Sequence, residues 1–221
     1  DQFADQWDWK ALSAQTELPW TGDLIARYCS RWCWTTLSSN TRLPWQPELI
    51  NSWLDRWDWV ALSKNPALCW SEAMIGQYAE KWSWQDLSQN PALPWSKTLL
   101  TLHQEHWDWD GLSWNTGLPW DDDLIAEFGH FWDWAGLSSN AQLPWSEALI
   151  ASQADHWDWE RLSANPSLPW SVAFIELYKE FWNWATLSSQ PQLPWSPDFY
   201  RALSQHWFAP LVSEHQSFDI Q

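Results

Sequence analysis

The chain of 221 residues carries 28 acidic against 11 basic side chains, a formal charge of -17, and 27 tryptophans. So strong an acidic excess argues against a surface for nucleic-acid phosphates, which needs clustered Lys and Arg, and against docking on an acidic membrane face. No apolar run approaches the ~20 residues of a spanning helix, and no charged, then apolar, then small-residue pattern marks a signal peptide.

Trp7 is followed at a constant spacing of 25 residues by Trp32, Trp57, Trp82, Trp107, Trp132, Trp157, Trp182 and Trp207. A second ladder runs from Trp9 to Trp184 and a third from Trp20 to Trp195, and the three together hold 25 of the 27 tryptophans. A fixed period of this length predicts an all-α solenoid of about eight 25-residue helix-turn-helix repeats, each burying its apolar face only against its neighbours. The expected array covers 1–213. Within it, 1–6 form the end of a truncated preceding repeat, 7–206 the eight repeats and 207–213 a degenerate C-terminal cap, with 214–221 as a tail. Residues 1–6 align with 26–31, which suggests a segment of a longer protein.

In chain order, each repeat opens with a leading Trp and then a capping residue: Asp8, Cys33, Asp58, Ser83, Asp108, Asp133, Asp158 or Asn183. These predict the N-cap of a short first helix, with the leading Trp and the Leu five residues on (Leu12, Leu37 and equivalents) forming a hydrophobic staple. Gln15, Asn40, Asn65, Asn90 and their equivalents come next, four times followed by Pro. Asn tolerates the left-handed conformation that ends a helix and Pro cannot continue one, so the first helix is expected to stop there. Leu-Pro-Trp leads to a second cap, usually Ser (Ser71, Ser96, Ser146, Ser171, Ser196), with Pro47 and Pro197 at the first helical position. The stripe Leu24, Ile25, Tyr28, Trp32 predicts a longer second helix that carries the next leading Trp, so that the two helices meet at a corner across one capping residue. Burying ~200 Å² of an indole at ~25 cal/mol/Å² contributes about 5 kcal/mol, which makes the ladder tryptophans core filling in so short a repeat.

Catalytic chemistry is hard to find. Ser13 and its equivalents recur in every repeat, whereas an active site needs one; a Ser there can bond a free helix carbonyl. The acidic fifth repeat, Asp108 and Asp110 with Asp121, Asp122 and Asp123, lacks the alternating oxygen ligands of a calcium loop. His103 and His106 have no third ligand, and Cys29, Cys33 and Cys69 fall outside any disulfide or metal spacing and read as free thiols, which favours a reducing, cytoplasmic compartment. The chain reads as non-enzymatic, with no metal and no cofactor.

Specificity is then expected where the repeat is broken. Trp114 is the one aromatic at a place otherwise filled by small or polar residues such as Ala14, Ser39, Lys64 and Gln89, and is expected to be exposed beside a helix end, as a binding hot spot would be. Trp53 stands where Tyr28, Tyr78 and Phe128 stand and reads as core. The residue before each leading Trp runs Arg31, Arg56, Lys81, His106, Phe131, His156, Phe181, His206, which makes a stripe along one edge: a partner surface or a half-covered seam. The acidic triplet Asp121, Asp122, Asp123 completes the candidate interaction surface.

The strings WSWQDLSQNPALPWSKTLL (82–100) and WDWERLSANPSLPWSVAFI (157–175) resemble the tryptophan-rich short tandem repeats of uncharacterised bacterial and large DNA virus proteins. The resemblance spans nearly the whole chain, departs at Cys33 and Cys69, and implies no activity. It implies an interaction segment. The expected function is therefore a non-enzymatic scaffold for a protein partner or for other domains of the same polypeptide, a sensor or adaptor element. The alternative is binding of a glycan or an aromatic small molecule through exposed tryptophans.

Overall fold

The structure, a computed structural model, describes residues 4–207. Every described element is helical. A single 3-10 turn over Ala4–Gln6 is followed by α1 (Trp9–Ser13), α2 (Gly22–Arg27), α3 (Trp34–Ser38), α4 (Pro47–Ser52), α5 (Trp59–Lys64), α6 (Glu72–Gln77), α7 (Trp84–Gln89) and α8 (Lys97–Leu102). Then come α9 (Trp109–Ser113), α10 (Asp122–Glu127), α11 (Trp134–Ser139), α12 (Glu147–Ser152), α13 (Trp159–Ala164), α14 (Val172–Leu177), α15 (Trp184–Ser189) and α16 (Pro197–Ala202). The chain divides into two compact blocks, 1–119 and 120–221, with the division inside the fifth repeat. In the first block α1, α3, α5, α7 and α9 pack in succession; in the second α11, α13 and α15 do so. Each block is an all-α helical-repeat solenoid.

The caps follow the sequence closely. Asp8, Asp58, Asp133, Asp158 and Asn183 accept a hydrogen bond from a first-turn amide of their helix. Thr21, Ser71, Ser96, Asp121, Ser146, Ser171 and Ser196 do the same for the second helices. Cys33, Ser83 and Asp108 occupy the cap position without accepting such a bond.

Two expectations are corrected. The second helix is longer than the first by at most one residue and does not carry the next leading Trp: α2 ends at Arg27, and Tyr28 adopts φ -119°, ψ 27°, so Trp32 lies beyond a turn instead of on the helix. The indole explains this. Trp32 Nε1 donates to the Ile25 carbonyl at 3.1 Å, and Trp57, Trp82, Trp132, Trp157 and Trp182 repeat the bond to the carbonyl seven residues back. A side-chain donor has taken a helix-end carbonyl, which at Ile50 it shares with the Trp53 amide.

The second correction concerns the Asn. Asn65, Asn90, Asn140 and Asn165 end their helices with an extended backbone, as Asn65 at φ -76°, ψ 115° illustrates, and no described residue has positive φ. These buried carboxamides link repeats instead. Asn90 Nδ2 donates to the Ser63 carbonyl of the preceding repeat at 2.9 Å, while its Oδ1 accepts from the Ala92 amide at 3.0 Å. Asn40, Asn65, Asn115 and Asn165 make the same inter-repeat bond. The recurrent serines act beside them. Ser88 Oγ donates to the Trp84 carbonyl at 2.8 Å and accepts the Asp108 amide of the next repeat at 2.9 Å. Ser13, Ser38, Ser63, Ser138 and Ser163 repeat the pattern, all fully buried.

The aromatic core is built from discrete clusters. Trp32 meets Trp9 edge-on at a centroid distance of 4.9 Å and Trp20 at 5.2 Å, and Trp57, Trp82, Trp107, Trp157 and Trp182 sit likewise between two indoles of the repeat before. These geometries lie in the favoured range for aromatic pairs. His103 takes the place of Tyr78, buried 5.0 Å from the Trp84 ring centroid, with no hydrogen-bond partner for Nε2. Burial, with His106 beside it, holds this imidazole below its ordinary value.

Two outcomes are expected. Asn90→Ala, which strands the Ser63 carbonyl and the Ala92 amide, destabilises the array by about 1–3 kcal/mol in urea unfolding. Stability also falls as pH drops through about 6.5, because the unfolded His103 takes up a proton there while the folded one resists until lower pH. His103→Phe, the residue of the equivalent Phe128, lessens that loss when urea midpoints at about pH 7.5 and about pH 5.5 are compared.

Candidate functional site

Successive first helices leave a seam between them, and the side chains that line it change from repeat to repeat. Between α5 and α7, Lys64 reaches across to Asp86, Nζ to Oδ1 at 3.3 Å. Between α11 and α13, Arg161 lies over its own cap Asp158, Nε to Oδ2 at 3.3 Å, and extends to Ser139 Oγ of the preceding repeat at 3.4 Å. Both seams thus carry a cation that the chain supplies itself, Arg161 lining an open groove of about 510 Å³ with Asp158, Glu160 and Thr186.

The seam between α7 and α9 carries no cation at these places, as in the seams α1/α3, α3/α5 and α13/α15, but among these seams it alone gathers two carboxylates beside an exposed indole. Gln89 stands at the place of Lys64, and Gly111 at the place of Asp86 and Arg161. The result is a groove of about 580 Å³, floored by Gln85, Gln89, Gly111 and Asn115 and walled by Asp108, Asp110 and Trp114. Trp114 is the C-cap of α9 and 48% exposed. Asp108 is half-buried but makes no capping bond to its helix. Its carboxylate lies over Gly111 instead, where a Cβ would come within 2.9 Å of Oδ2 and 3.2 Å of the Gln89 side chain. Neither Asp108 nor Asp110 has a side-chain hydrogen bond or ion pair among the described residues. At Gly117 a Cβ would fall 2.3 Å from the Pro91 carbonyl oxygen, so only glycine lets this loop lie against the one before.

The other sequence-derived candidates are placed as follows. The edge stripe lies over the second Trp ladder. His106 stacks on Trp84 at 4.8 Å and 16°, His156 on Trp134 at 4.8 Å and 17°, and Phe181 on Trp159 at 4.9 Å and 28°. Lys81 Nζ sits 5.6 Å from the Trp59 centroid, a cation-π distance, and Arg31 pairs with Asp5. Arg56 is exposed and Phe131 half-buried. His106, His156, Phe181 and Lys81 thus shield half-buried indoles. Asp121 caps α10 and, with the exposed Asp122 and Asp123 and with Pro144, lines a shallow depression of the second block. Trp53 is half-buried against Trp34 at 5.3 Å.

The described residues hold no group of three or more potential metal ligands, and Cys29, Cys33 and Cys69 are free thiols. No helix among them is long and apolar enough to cross a membrane. An apolar hollow of about 640 Å³ under Trp7, Leu12, Leu18 and Tyr28 is the face that later repeats pack against the repeat before, which is why Trp7 is 42% exposed and Trp32 only 6%. Sequence reading singled out Trp114 and the acidic residues but missed Gly111, Gln85 and Gln89. The available signal was Gly117, which departs from the repeat beside the exceptional Trp; Gly111 shares its place with Gly136 and gave none.

Comparison with protein-family models, with curated proteins and with solved structures found no match.

Proposed function

We propose that the chain is a non-enzymatic scaffold for protein-protein interaction, a sensor or adaptor segment of a longer polypeptide like those in which tryptophan-rich repeats of this kind occur. One observation carries the reading. Trp114, the residue that breaks the repeat, gathers with Asp108, Asp110 and Gly111 at an open groove, while the repeated residues serve the core. A large aromatic at the rim of such a groove has the character of an interface anchor. The recurrent Ser and Asn side chains are absorbed in bonds between repeats.

A glycan or an aromatic small molecule is the second reading, because the exposed Trp114 offers a ring face. The first two ladders offer little: the leading indoles after Trp7 are buried, and several of the second lie under the edge stripe. Quantitative capture with the chain as bait, beside a Trp114→Ala variant, separates the readings. Specific protein partners lost at least about tenfold with the variant, equivalent to one hot-spot anchor, support the scaffold. Partners displaced by free saccharide support the glycan reading, and capture unchanged by the variant removes the groove from either.

A further inference from the structure

We infer that the groove between α7 and α9 receives an arginine side chain from a basic segment of a partner protein, with Asp108 and Asp110 as its counter-charges and Trp114 beside it. The inference rests on the scaffold reading and names its partner chemistry. Two sister seams show how a cation sits here. The seams α1/α3, α3/α5 and α13/α15 carry none, with Ala14 and Thr36, Ser39 and Ala61, and Ala164 and Thr186 at those places. What sets α7/α9 apart is therefore the uncapped Asp108 together with Asp110 and Trp114. The α11/α13 seam holds Arg161, whose guanidinium touches Asp158 on one repeat and Ser139 on the other. The α5/α7 seam holds Lys64 against Asp86. In the α7/α9 seam both cation-bearing places are vacated, to Gln89 and Gly111, while Asp108 stays and Asp110 is added.

The vacancy is matched by geometry. In the repeat that begins with Asp158, the carboxylate caps its own helix by accepting from the Arg161 amide at 3.1 Å and also meets the guanidinium. Asp108 gives up the cap and leans over Gly111. A guanidinium entering here finds two carboxylates, the side-chain amides of Gln85 and Gln89, and an exposed indole rim. Arginine suits this set because its planar, always-charged head combines bidentate pairing with stacking on an aromatic face. A protein of charge -17 also draws a basic segment in from a distance.

The probe is a fluorescein-labelled peptide of four arginines alternating with glycine, titrated by anisotropy against the full chain at physiological ionic strength. A matched peptide with citrulline for arginine removes the charge while keeping the shape. Saturable binding of the arginine peptide is expected, with affinity lowered at least about tenfold by Gly111→Arg, which returns to this seam the cation of its sister. Asp108→Asn with Asp110→Asn gives a loss of similar size without altering the groove's volume. Asp23→Asn with Asp55→Asn, both exposed in earlier repeats, removes the same charge elsewhere and changes affinity less than about twofold.

Equal losses from the two Asp pairs would overturn the inference, since the acidic chain as a whole would then be the attractant. So would tight binding of the citrulline peptide. Partner capture by the chain that persists undiminished in Gly111→Arg refutes the arginine groove while leaving the scaffold reading in place. Far-ultraviolet circular dichroism of each variant confirms that the helices are retained, as expected where the new side chain displaces only the movable ends of Asp108 and Gln89.

Discussion

Helices of five or six residues leave almost all their backbone groups without an intrahelical partner, and the rest of the structure depends on how those groups are satisfied. Isolated helices of this length do not persist in water. Here the missing partners come from the next repeat and from indoles. A serine hydroxyl holds a carbonyl of its own helix and the cap amide of the following repeat; an Asn carboxamide bridges back to the repeat before. The tryptophans are part of the same solution. Trp45 Nε1 donates to the Asn40 carbonyl, Trp59 Nε1 to Leu54 and Trp57 Nε1 to Ile50, so each indole brings a large apolar area and a donor that closes a chain end. No aliphatic residue does both.

Much of this was legible in the chain itself. The period, the helical class, nearly all the caps and the core role of the ladders follow from spacing and residue type. What the pattern could not convey was the competition between bonding partners. The stripe Leu24, Ile25, Tyr28, Trp32 fits a helix, yet the Trp32 indole wins the Ile25 carbonyl and the helix stops at Arg27. Asn fits a left-handed helix end, yet its side chain is worth more as a bridge between repeats than its backbone is as a turn. The Asn bridge joins residues 27 apart, beyond any local window, and the Trp32 bond turns on an indole donor that a pattern of apolar positions does not count.

The candidate groove was half visible for the same reason. Trp114 announces itself as an exception, and the acidity of its repeat is plain. Its meaning depends on Gln89 and Gly111, which are unremarkable alone and informative only beside Lys64 and Arg161 at the same places in sister seams. A tandem array in this sense contains its own controls: the same repeat, a different seam, a different charge balance.

The bonds between repeats also set what kind of change the chain can absorb. Each serine reaches an amide 20 residues ahead and each Asn a carbonyl 27 residues behind. A single inserted or deleted residue would offer the hydroxyl the wrong amide and turn the indoles from their carbonyls along the rest of the block. Whole repeats can be gained or lost without such a mismatch. The array is therefore digital in length and continuous only in its seams: copy number and seam residues are the variables open to it, and the interval of 25 is the one quantity that must stay constant.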